Sequence, residues 1–464
     1  MSVRRFLLPF LLPIAVAIAA HAEAPAAAAT SPCTYFVGST GSDRNNGTSI
    51  TTPFATLEKA QSAARRSSSK VVCLRAGTYY RTAPLVLSAA DDGETWQYYP
   101  PEGVNSAVLD GGKMVDLFNI SGASNVTING LKMQNVFSSA VLSGGALSNN
   151  ITIENCDIGF NQHTSLAGGF NPMIALGNVT NAHVLNNYVH DTASQGIALY
   201  AYDPGSTVDG SLVSGNVVLR TVQVMDDGGA IYVNMRNTNV KGGHVTISNN
   251  YVKDYGASSI SSVRGIYLDD DASNVTVTGN VIGPPNPSTT GPYIQAVMFN
   301  GGSANVVQGN IIDLGDGRAA VACIGPDGGG GTIRYGGPIG ANRISSNIII
   351  ANYSGAPSVR SWDVKGHVYD QGPTINSGWL TISNNLYYNY GGGAADSQGN
   401  LISDANPIYA NPQISGWSYS IASGSPVFSR AMNFKPIVGG RGPAGGFVIP
   451  QSGVAPSSPL DVGR

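Results

Sequence analysis

The chain has 464 residues, 59 of them glycine, with only 11% charged residues and a formal net charge of -3. Such a balance argues against a nucleic-acid partner, because no basic stripe exists to displace counterions from phosphates; uncharged polar ligands fit better. Length alone would suggest two or three domains, but that expectation fails for solenoids, so internal repeats decide the matter.

Residues 1–22 predict a signal peptide. Arg4 and Arg5 precede an apolar run from Phe6 to Ala20, and Ala20-His21-Ala22 supplies the small residues a signal peptidase needs, with cleavage after Ala22. The run is too short for a membrane span, and no later stretch reaches roughly 18 continuous apolar residues. A soluble, secreted or periplasmic protein in an oxidising compartment is expected, with no membrane insertion. Cys33 and Cys73 flank the strand-like runs TYFVGS and VVCLRA and are predicted to pair in a disulfide. Cys156 and Cys323 sit in separate repeats and read as buried free thiols, without the Cys or His neighbours of a zinc site.

Residues 53–68 hold the best helical stretch, with Phe54, Leu57, Ala60 and Ala64 on one face, and predict a helical cap on the first coil. One pattern then recurs, a β-branched strand, an Asn or Gly-Asn, and an apolar pair. Its markers are Gly130, Asn155, Asn187, Asn216, Asn250, Asn280, Asn310, Asn347 and Asn385. The spacing varies while the core stays constant, which suits coils whose loops differ and whose strands do not. Period-2 strands without hairpin signals must pair with their counterparts one coil on, giving parallel sheets. An Asn in the turn tolerates the left-handed conformation, and its amide can bond the Asn above and below. The pattern predicts an all-β fold, a right-handed parallel β-helix of about nine or ten coils. A single domain is read over residues 33–437: cap and first coils at 33–115, regular coils at 116–402 and a closing coil at 403–437. A flexible Pro- and Gly-rich tail follows at 438–464.

The stretches FVGSTGSDRNNGTSITTPFATLEKA (36–60) and VCLRAGTYYRTAPLVLSAADDGETWQYYPPEG (72–103), with the later DDGGAIY and RGIYLDD, resemble the secreted right-handed β-helix glycoside hydrolases. The nearest is family 141, with families 136 and 120 as cousins. The N-terminal motif is also similar to the start of some β-helix polysaccharide lyases. The resemblance implies cleavage of a glycosidic bond in a poly- or oligosaccharide, without a cofactor.

Glycoside hydrolysis needs two carboxyl groups, one protonated and one ionised. The candidates are Asp227 and Asp269, with Asp226 and Asp270 as substitutes, because doubled acids cost self-repulsion in so uncharged a chain. If Ile231-Tyr232 stacks on Ile266-Tyr267, Asp269 lies over Asn234 and Asp227 over Ser262, so convergence requires a bend at Gly228-Gly229. Tyr200, Tyr202, Tyr232, Asn234 and Tyr267 are candidate sugar contacts after the same core strand; Arg236, Arg264 and His190 are candidate polar ones. Two alternatives stay open. A polysaccharide lyase would need Lys, Arg or calcium beside a base, and Arg220, Arg236, Lys241, Lys253 and Arg264 lie in the right coils. A non-catalytic glycan-binding or adhesion rod needs no carboxyl pair.

Overall fold

In a computed structural model, residues 32–161, 171–236, 243–291, 293–316, 319–324, 341–352, 359–361, 380–392, 404–416 and 419–429 are described. The predicted signal peptide, the tail at 438–464, Lys241 and the Cys323 thiol lie outside them.

Each strand pairs in parallel with its counterpart one coil later, as a repeat without hairpin signals requires. Among the described residues three long parallel sheets result. Sheet A has twelve strands from Tyr35–Val37 to Leu380–Ser383, sheet B twelve from Gly77–Tyr80 to Ile408–Tyr409, and sheet C ten from Leu85–Leu87 to Val359–Ser361. The fold is a right-handed parallel β-helix. Twelve rungs exceed the nine or ten expected, because the coils before residue 116 lack the Asn marker on which the count rested; at ~4.8 Å per rung the stack is about 53 Å long.

Stacking turns the alternation of each strand into columns. In sheet A, Trp96, Ile128, Ile153, Val184, Val213, Ile247, Val277, Val307, Ile344 and Ile382 occupy one register and all point into the core. Each such side chain contributes roughly 1.5–3 kcal/mol by leaving water.

The turn from sheet A to sheet B divides between two residues the tasks that the sequence pattern gave to one. The left-handed residue is the first of the pair: Asn186, Gly215, Asn249, Gly279, Gly309, Ser346 and Asn384 all have φ between 53° and 71°. The Asn after it is fully buried and builds the ladder. Asn216 donates from Nδ2 to Asn250 Oδ1 at 2.9 Å, Asn250 to Asn280 at 2.9 Å, and Asn280 to Asn310 at 3.0 Å. Gly130 and Asn155 are left-handed members, followed by Leu131 and Cys156, so the first two markers sit one residue before the ladder position. Cys156 is buried and free, and its N–H donates to Asn187 Oδ1 at 2.9 Å where later coils use an Asn.

The cap helix spans Leu57–Ala64, and Thr56 accepts the Lys59 N–H at its start. Phe54, Leu57, Ala60 and Ala64 are all buried against the first coil. Cys33 and Cys73 form a disulfide. At the other end Asp404 stops the ladder by accepting from Asn385 Nδ2 at 2.8 Å. The chain then makes a short antiparallel hairpin, Ile414–Ser415 with Ser420–Ile421. Tyr419 and Val427 pack with Tyr251, Val281, Ile311 and Ile348, so this segment covers a flank of sheet B as well as the last rung. Among the described residues no helix is long and apolar enough to cross a membrane.

Candidate active site

Three neighbouring strands of sheet C, Ile197–Tyr200, Gly228–Asn234 and Ser262–Asp269, carry Tyr200, Tyr232, Asn234, Arg264, Tyr267 and Asp269, and a fourth, Tyr293–Asn300, pairs with the last of them. Ile197, Ile231, Ile266 and Val297 stack inward. The next position of each strand, Ala198, Tyr232, Tyr267 and Met298, forms a small apolar cluster on the outer face. Two residues further on, Tyr200, Asn234 and Asp269 share a register.

Asp269 is only 7% exposed and gathers donors from several coils. Tyr232 donates its hydroxyl to Asp269 Oδ2 at 2.7 Å, Asn300 Nδ2 donates to Oδ1 at 2.6 Å, and the Asp270 N–H donates to Oδ1 at 2.9 Å. The Tyr267 ring meets that of Tyr232 edge-on at 5.4 Å. Burial first, then the Asp269 charge, pushes both phenols far above their ordinary range, so they stay protonated as donors. Tyr202 is hydrogen-bonded to Tyr232, and its ring lies 5.1 Å from that of Tyr200.

Asp270 turns the strand end in the left-handed conformation, φ 43°. Its carboxyl accepts from Arg236 at 2.9 Å and from Asn234 Nδ2 at 3.0 Å. The same Asn234 nitrogen donates to the Tyr232 hydroxyl at 2.8 Å. Asp269 and Asp270 are thus joined through Tyr232 and Asn234 by three hydrogen bonds, which sets an upper limit of about 9 Å between the bonded carboxyl oxygens, below the ~9.5 Å maximum of glycosidase pairs.

The other acidic doublet is not part of this network. Gly228 and Gly229 stay extended, in register with Val263 and Arg264, and do not fold the chain inward. Asp227 donates its N–H to Ser262 O, so it lies one strand length from Asp269, roughly 23 Å along the backbone. Its side chain is 67% exposed and pairs with Arg264 at 2.5 Å, and that guanidinium stacks on the Tyr267 ring at 4.3 Å. Asp226 accepts the Ser261 and Ser262 N–H groups at 2.7 and 2.9 Å and caps the incoming strand.

His190, expected beside the sugar contacts, stands on sheet B instead, because it ends the strand Tyr188–His190. Its ring lies over Gly159, where a Cβ would come within 2.7 Å of it. Nε2 bonds Asp157 at 2.8 Å and Nδ1 bonds Asp191 at 2.6 Å, leaving no ring nitrogen for a ligand. Asn300 was not singled out in the sequence; continuing the stack one coil past Asp269 would have found it. Among the described residues no group of three or more His, Cys, Asp or Glu side chains is placed to hold a metal ion.

A family model described as a right-handed beta helix region matches residues 116–312. No curated protein matches the sequence. Of solved structures, a glycoside hydrolase is similar at 10% identity, with 79% of this chain and 98% of that one covered and a TM-score of 0.47. The A-module of a mannuronan C-5 epimerase from Azotobacter vinelandii is similar at 16%, covering 77% and 95%, with a TM-score of 0.47. A pectate lyase is similar at 15%, covering 85% and 95%, again at 0.47. The stacked parallel sheets and this family model make the class a parallel β-helix protein.

Proposed function

We propose that the protein is an exported carbohydrate-active enzyme that hydrolyses glycosidic bonds on the outer face of sheet C. The linked Asp269–Asp270 pair is the observation that supports this reading. Asp269, bonded only by donors, acts as the ionised carboxylate that attacks the anomeric carbon or activates water. Asp270, nearer solvent, takes up a proton from water as Arg236 moves from it to a substrate hydroxyl, and delivers that proton to the leaving oxygen. Tyr200 and Tyr202 stand beside the pair as a platform for a sugar ring. Export is supported by the Cys33–Cys73 disulfide, and membership in glycoside hydrolase family 141 by the motifs quoted above.

Assayed against a panel of neutral and acidic polysaccharides, Asp269→Asn and Asp270→Asn are each expected to lower kcat by about 10²-fold or more, with new reducing ends as the product of the parent enzyme. Full activity in both variants would overturn the assignment. A second reading, a polysaccharide lyase, is favoured by one observation: Arg236 and Arg264 stand at the two ends of the face with protonated Tyr232 and Tyr267 between them, a place for a uronate carboxylate beside a proton donor. Product absorbing in the ultraviolet, with activity lost in chelator, would select it.

A further inference from the structure

Away from sheet C, a cavity of about 430 Å³ lies between the outer face of sheet B and the C-terminal hairpin. Sheet B and the residues that follow its strands contribute Lys253, Asp313, Ile350, Asn352 and Tyr390, and the hairpin contributes Ile414, Ser415 and Tyr419. The volume falls in the lower part of the ~300–1,000 Å³ range of small-ligand pockets, room for one or two sugar rings.

The sheet B side is arranged by the coil register. Lys253, Gly283 and Asp313 follow the stacked pairs Val252, Ile282 and Ile312 in three successive coils. A Cβ on Gly283 would come within 2.9 Å of Lys253 Cγ, so the lysine stem lies across the glycine and toward Asp313. Tyr419, brought over by the hairpin, donates its hydroxyl to Asp313 Oδ2 at 2.6 Å. Burial lowers the Lys253 ammonium and raises the Asp313 carboxyl from their ordinary values. A cation and an anion thus share one wall, with Asn352 and Ser415 adding neutral polar groups and Tyr390 and Tyr419 adding rings. Opposed charges cancel for a charged ligand, whereas vicinal hydroxyls can accept from the ammonium and donate to the carboxylate while a ring face lies on tyrosine.

We propose that this cavity is a second saccharide-binding site, specific for a neutral pyranose unit and separate from the Asp269–Asp270 face. It stands independently of which reaction that face performs.

The test uses the full-length Asp269→Asn/Asp270→Asn protein, in which catalysis cannot consume the probe. Neutral gluco-, manno-, galacto- and xylo-disaccharides and a galacturonate disaccharide are titrated by calorimetry and saturation-transfer NMR. At least one neutral disaccharide is expected to bind, with Lys253→Met and Tyr390→Ala each weakening it tenfold or more. Absence of neutral binding, preference for the galacturonate, or affinity unchanged in both variants would overturn the site. Circular dichroism reports whether Lys253→Met folds; if it does not, Tyr390→Ala decides alone, since that ring is 41% exposed.

Discussion

On the outer face of sheet B, Asp157, His190, Asp191 and Arg220 run across three consecutive coils as alternating charges. Arg220 grips Asp191 through two nitrogens at 2.6 and 2.7 Å, and His190 bridges Asp191 to Asp157, which also meets Lys132 at 3.3 Å. On the outer face of sheet C, Asp269 is held instead by phenols, an amide and a backbone N–H, and its neighbour Asp270 by a half-exposed arginine. The same strand alternation and rung spacing serve both. In sheet B each charge is neutralised within the protein, which leaves a closed structural unit with His190 stacked on Tyr188 at 4.1 Å. In sheet C neutral donors orient a carboxylate without cancelling its charge, which is what a nucleophile or base requires.

The largest effect should come from opening the sheet B cluster. Asp191→Ala removes the shared partner of Arg220 and His190 and leaves two cations partly buried without it. Breaking such a pair from one side costs about 3 kcal/mol, read as a lower denaturation midpoint in urea with an unchanged slope. A loss as small as that of a surface substitution would show that the cluster is not the structural unit described, and the contrast between the two faces would fail.

A smaller, pH-dependent effect separates the faces further. Burial works against the His190 charge, but the Asp157 and Asp191 carboxylates outweigh it and raise its pKa; Lys132, Arg220 and Tyr188 are the other titratable groups on this face. A raised histidine stabilises fully below its unfolded value of ~6.5, and the contribution is lost as pH rises through the folded value. For Asp191, burial is outweighed by Arg220 and His190, which lower it to about 2, so its contribution is present above ~3.8 and lost as pH falls toward about 2. Glu94 behaves like the histidine for a different reason: burial, then Asp91, raises it to about 8, so it costs stability as pH rises from ~4.5. Melting temperature against pH should fall on the alkaline side in the parent. His190→Gln and Glu94→Gln should each flatten part of that limb.

What could be read from the sequence follows from what repeats within one coil. Ile231 over Ile266 and Asn234 under Asp269 were legible because period-2 strands stacked in parallel admit one register once the core pattern is matched. The Asn column was legible as a column, but which of two adjacent residues takes the left-handed turn and which the ladder is decided by φ, and Asn suits both. The sheet B cluster was hidden because Asp157, the adjacent His190 and Asp191, and Arg220 come from three different coils, brought together by Gly159 yielding space to a histidine ring. The cavity was hidden more deeply still, since Lys253 and Tyr419 meet only after the C-terminal hairpin turns back along the solenoid.

The smallest expected effect sharpens the comparison within sheet C itself. Asp227 and Asp269 both belong to acidic doublets beside an Ile-Tyr core, yet one is 67% exposed on its side chain and paired with an arginine while the other is buried among donors. Asp227→Asn leaves a neutral hydrogen-bond acceptor for the buried Arg264 guanidinium, so the stability loss should be about 1 kcal/mol, below the about 3 kcal/mol of Asp191→Ala. Arg264 keeps its place through the Tyr267 ring, and Asp269 keeps its bonds from Tyr232 and Asn300, so kcat should stay within about twofold of the parent while KM for an acidic substrate shifts through the freed guanidinium. If Asp227→Asn abolished turnover as Asp269→Asn is expected to, Asp227 would have to reach the reacting bond from the far end of the strand. The two doublets would then be halves of one site, closed by a movement of the chain that the extended Gly228-Gly229 pairing does not show.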